Sequence, residues 1–76
     1  MSRWTPCRRR GFIRWLRQLG FDGPFSGTRH PFVLYEGRRL AIPSNAEYSV
    51  PQLMLMIREV EGILGREIAL VEGNRL

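Results

Sequence analysis

Apolar residues recur at helical spacing early in the chain. Phe12, Trp15, Leu16 and Leu19 share one face at about 100° per residue, and Arg10, Arg14 and Arg17 share the opposite face. This stripe predicts a first helix. Thr5-Pro6 reads as its start, a hydroxyl N-cap followed by proline at the first helical position. Gly20 reads as its stop, after Leu19.

The spacing then changes from helical to extended. Gly23-Pro24 and Ser26-Gly27 are turn signals, with room around them for only a short, poor strand. His30 to Glu36 reads as a strand, Arg39 to Pro43 as a second, and Gly37-Arg38 as a tight two-residue turn. That turn pairs Glu36 with Arg39, Tyr35 with Leu40 and Val33 with Ile42. Paired residues share a face, so Val33, Tyr35, Leu40 and Ile42 form the core side. Phe32, Leu34, Glu36, Arg39 and Ala41 form the other side, with His30 at its end. A four-residue loop keeps this parity and a three-residue loop reverses it.

Ser49-Val50-Pro51-Gln52 fits a capping box and starts a second helix. Its core stripe is Leu53, Ile57, Val60 and Leu64, flanked by Met56 and Ile63, with Leu55 outside it. The tail from Arg66 to Leu76 has room for one short helix with a weak N-cap. Helix, short antiparallel sheet, helix is an α+β order, expected as a small two-layer domain with the outer sheet face open. The chain has 76 residues, which is one domain over 1–76, with short extensions at about 1–5 and 66–76.

Charge adds a direction. The net charge is +5, and every basic residue is arginine. Residues 1–20 carry six arginines and no acid, 21–45 three arginines against two acids, and 46–76 three against five. A small basic domain points to a nucleic-acid or anionic-surface binder. The single cysteine, Cys7, excludes an internal disulfide and fits a reducing compartment. No apolar run approaches the ~18 residues that span a bilayer, and no signal peptide is evident, so the expected location is the cytoplasm.

Three stretches together resemble a known family: L-R-Q-L-G-F-D-G-P-F-S-G-T-R-H-P-F (Leu16 to Phe32), R-L-A-I-P-S (Arg39 to Ser44) and S-V-P-Q-L (Ser49 to Leu53). In this order they look like HicA toxins of bacterial toxin–antitoxin pairs, over roughly residues 8–65. The resemblance implies a fold similar to a double-stranded-RNA-binding domain. It also implies a metal-independent endoribonuclease that cuts mRNA, needs no cofactor, and is held inactive by a HicB-like antitoxin. Many relatives read G-S-H-H at the turn, with the first histidine catalytic. Here Gly27-Thr28-Arg29-His30 sets Arg29 at that position in an ungapped alignment. Either His30 carries the chemistry from a shifted place or the chain has lost it.

On this reading His30, the only histidine, is the general base or acid. It would help a ribose 2′-hydroxyl attack the adjacent phosphate, giving a 2′,3′-cyclic phosphate and a 5′-hydroxyl. Arg29 or Arg39 would offset phosphate charge. With no second imidazole, Glu36 and the tyrosines are the candidate partners. Arg10, Arg14 and Arg17 read as an RNA phosphate track or, blandly, as a solvated helix face. Phe32 and Leu34 would stack on bases, dock the antitoxin, or be buried if the register is reversed. Cys7 beside three arginines suggests a lowered thiol pKa. Trp4 and Trp15 read as packing residues. Glu59 and Glu61 face different ways, so no metal site is expected, and no phosphate-loop or Ser-His-Asp pattern occurs. A non-catalytic RNA-binding or regulatory module is the alternative, and a plain interaction protein a third.

Overall fold

The computed structural model describes residues 4–69. The chain runs β1 (Cys7–Arg8), α1 (Arg9–Leu19), β2 (Asp22–Phe25), β3 (Phe32–Tyr35), β4 (Arg38–Ala41), β5 (Glu47–Tyr48) and α2 (Val50–Leu64). It is an α+β arrangement with two antiparallel sheets, β2-β3-β4 and the short pair β1-β5.

The first helix begins later than its sequence signals suggest. Thr5-Pro6 does not cap it. Cys7 and Arg8 pair with Tyr48 and Glu47, and α1 starts at Arg9 with Arg8 as an N-cap that offers no side-chain acceptor. The extended pairing holds residues 7 and 8 out of the helical region. The Arg9 N–H is satisfied by the Ala46 carbonyl at 2.9 Å. The helix ends where expected: Gly20 takes φ 111°, and its N–H reaches back to the Arg17 and Leu16 carbonyls.

The hairpin turn differs by one residue from expectation. Glu36 and Gly37 occupy it with φ 49° and 81°, both left-handed, as a type I′ turn requires. Val33 therefore pairs with Leu40, Leu34 with Arg39 and Tyr35 with Arg38. Both registers keep the same parity, so the apolar pattern does not choose between them. The observed one lets the Ile42 N–H donate to the Pro31 carbonyl at 2.9 Å. Pro43, which has no N–H to give, falls beyond the ladder. Because parity is kept, Val33, Leu40 and Ile42 are buried as the pattern predicts, and Tyr35 is half-buried against Phe21. Glu36 leaves the open face for the turn.

Both helices contribute to one core. Phe12, Trp15 and Leu16 of α1 and Leu53, Met56, Ile57 and Val60 of α2 join Val33, Leu40, Ile42 and Tyr48. Leu19, Ile63 and Leu64 pack at its margin, and Leu55 is exposed. The capping box of α2 is half formed. Ser49 Oγ accepts the Gln52 N–H, but the Gln52 side chain pairs with Asn45. After α2 the described chain is not helical; Ile68 enters the core and its N–H donates to a Glu61 carboxylate oxygen at 2.8 Å. The rest of the expected tail helix lies outside the described residues.

Candidate nucleic-acid interface

Alternation along β3 and β4 puts Phe32, Leu34, Arg39 and Ala41 on the face turned away from the core. Phe32 sits opposite both Phe25 and Ala41, and its ring centroid lies 5.7 Å from that of Phe25. The Arg39 guanidinium carbon stands 4.4 Å over the Phe32 ring. These three side chains form an aromatic and cationic platform. Phe25 is 43% exposed, while Phe32 and Leu34 are half-buried. The contribution of Phe25 was not anticipated, because Gly23-Pro24 obscures the strand. That peptide is cis, and the β2–β3 ladder shifts register around it.

Arg29 and His30 lie exposed in the loop from β2 to β3, just before the platform. Gly27 holds this loop tight. A Cβ there would collide with the His30 carbonyl oxygen and stand 3.2 Å from the Phe32 ring. The His30 side chain has no hydrogen-bond or ion-pair partner among the described residues.

The anticipated partners of His30 are elsewhere. Glu36 and Tyr35 lie at the far end of β3, about 10 Å along the strand from Phe32 at about 3.3 Å per residue, while His30 precedes Phe32 at the near end. Tyr48 is fully buried, and its hydroxyl donates to the Pro43 carbonyl at 2.7 Å. Burial raises the Tyr48 pKa above the ordinary value.

Arg10, Arg14 and Arg17 are exposed on α1, facing away from the core on the helix side. The structure does not bring them to Arg29, His30 and Arg39, which belong to the sheet side. Cys7 also differs from expectation. Burial, then the nearby Glu47 carboxylate, raises its pKa despite the neighbouring arginines.

Among the described residues no group of three or more His, Cys, Asp or Glu side chains is arranged to hold a metal ion. Nor is any helix among them long and apolar enough to cross a membrane. Compared with known family models, curated proteins and solved structures, the chain returns no match.

Proposed function

We propose that this chain is an RNA-directed toxin of the HicA kind, a cytoplasmic endoribonuclease that cuts mRNA and is restrained by a HicB-like antitoxin. The observation that carries the reading is the exposed His30 beside the Phe25, Phe32 and Arg39 platform. An imidazole with no hydrogen-bond or ion-pair partner among the described residues, next to stacking rings and guanidinium groups, suits a splayed RNA strand. Bases would stack on Phe25 and Phe32, and Arg29 and Arg39 would take phosphate charge. Helix, three-stranded antiparallel sheet, helix is also the order of a double-stranded-RNA-binding domain, which supports the same assignment.

His30 would take the 2′-hydroxyl proton as the oxygen attacks phosphorus. The departing 5′-oxygen would be protonated by water, since Glu36, Tyr35 and Tyr48 are out of reach. Arg10, Arg14 and Arg17 would hold flanking RNA on the helix side. Phe32 and Leu34 would be covered by the antitoxin when the toxin is silent, a docking steered by the net charge of +5.

The test is His30→Ala. General acid–base participation contributes about 10²–10⁴-fold in rate, so cleavage should nearly vanish while RNA affinity and antitoxin binding stay near wild type. Unchanged cleavage sinks the assignment. The lack of a hydrogen-bond or ion-pair partner for His30 among the described residues favours one second reading, a non-catalytic RNA-binding module on the same scaffold. Wild-type protein that binds RNA and never cuts it, freed of any antitoxin, would establish that reading instead.

A further inference from the structure

A large basic concavity lies on the α1 side, built from other elements than the His30 loop. The segment before β1, the first turns of α1 and the loop leading into β5 border an open groove of about 1070 Å³. This is just above the ~300–1,000 Å³ typical of ligand pockets. Arg8, Arg9, Arg10 and Arg14 line it, Glu47 is the only acid among the described residues that does, and Trp4 forms part of the wall.

The charges are badly placed for the fold itself. Arg8, Arg9 and Arg10 crowd the positive end of the α1 dipole, and the first turn contains no acid. Arg9 is committed to structure, its Nε donating to the Pro43 carbonyl at 3.1 Å. Arg8, Arg10 and Arg14 have no hydrogen-bond or ion-pair partner among the described residues. Arg14 and Arg10 also border a shallower groove with Arg17, so the basic track continues along the helix. From Arg10 to Arg17 it runs about 10 Å at 1.5 Å per residue.

We infer that this groove binds the phosphodiester backbone of single-stranded RNA, with Trp4 stacking on an unpaired base. The inference rests on the chain being RNA-directed, but not on His30 or on cleavage. Guanidinium forks match phosphate oxygens two at a time. A half-buried indole beside them gives a base a face to stack on, which a duplex with its bases already stacked does not use. An acidic protein would satisfy the arginines and leave the indole without that role.

The probe is a fluorescent 2′-O-methyl oligouridine of about ten nucleotides, which a 2′-hydroxyl mechanism does not cut. Binding is read by anisotropy across salt concentrations with the full chain. Each lost phosphate contact lowers the single-strand salt slope by about 0.7, so Arg8→Ala with Arg14→Ala should lower it by about 1.4. At about 0.1 M salt that is roughly a 25-fold loss of affinity. Glu47→Gln should act in the opposite direction, tightening binding, which no folding defect mimics. In Trp15→Phe protein, where Trp4 is the remaining indole, the strand should quench emission.

An unchanged slope in the double variant, with no gain from Glu47→Gln, overturns the proposal. So does equal binding of a matched duplex, or equal competition by polyglutamate without a Trp4 response, which would mark an acidic-protein surface. Cleavage that persists while the groove variants bind normally removes the groove and leaves the nuclease. Groove binding by a chain that never cuts RNA does the reverse.

Discussion

Glu36 occupies the first central position of the β3–β4 turn at φ 49°, the left-handed region that L side chains avoid. That conformation costs roughly 1–2 kcal/mol for an ordinary residue and less for asparagine, whose short polar side chain tolerates it. The Glu36 side chain is exposed and has no hydrogen-bond or ion-pair partner among the described residues, so its removal forfeits nothing. Glu36→Asn should therefore stabilise the protein by about 0.5–1 kcal/mol. A domain of this size shifts by about 4–8 °C per kcal/mol, so Tm should rise by roughly 2–8 °C. Thermal unfolding followed by far-UV circular dichroism, at fixed pH and salt, reads this directly. Glu36→Gln separates the backbone effect from the loss of charge and should show no systematic rise, staying within about 2–4 °C of wild type, on the order of ±0.5 kcal/mol. The sign carries the argument. In a Gly37-Arg38 turn, Glu36 would be a strand residue, and asparagine, which is disfavoured in strands, would lower Tm. A fall in Tm refutes the turn assignment and the register built on it.

Gly27→Ala should displace the His30 loop, because the new methyl meets the His30 backbone carbonyl and the Phe32 ring; RNA cleavage and the melting temperature should both fall, since backbone and not a flexible side chain must move. Cys7, with its pKa raised by burial and Glu47, should alkylate with iodoacetamide more slowly at neutral pH than a free thiol, and Glu47→Gln should speed the reaction. Wild-type rates equal to those of a small thiol would contradict that environment. Tyr48 favours its neutral form in the fold, so its contribution is full below the ordinary tyrosine pKa and is lost as pH rises through the raised folded value. Denaturant titrations should show stability falling above about pH 10, and Tyr48→Phe should flatten that decline while losing about 1 kcal/mol near neutrality from the bond to Pro43.

Periodicity determined that two helices form and which stripes they bury, and with an even-length turn it also set the faces of Phe32, Val33, Leu34, Tyr35, Arg39, Leu40 and Ala41 in the β3–β4 hairpin. Helical spacing and strand alternation are local properties, and burying one face rewards them wherever the chain goes. Gly20 and Ser49 were legible for the same reason, since their capping roles involve only near neighbours. Tertiary structure decided what depends on distant partners. Cys7 and Arg8 are extended because Glu47 and Tyr48, forty residues on, pair with them. The hairpin turn moved by one residue at no cost in parity, so ladder hydrogen bonding made the choice that hydrophobicity left open. The platform of Phe25, Phe32 and Arg39 needs three strands in register. The arginines divide between two sides of the domain because the helix stripe and the open sheet face both turn away from one shared core. Sequence spacing supplies the charges, but only the packing of that core determines which of them meet.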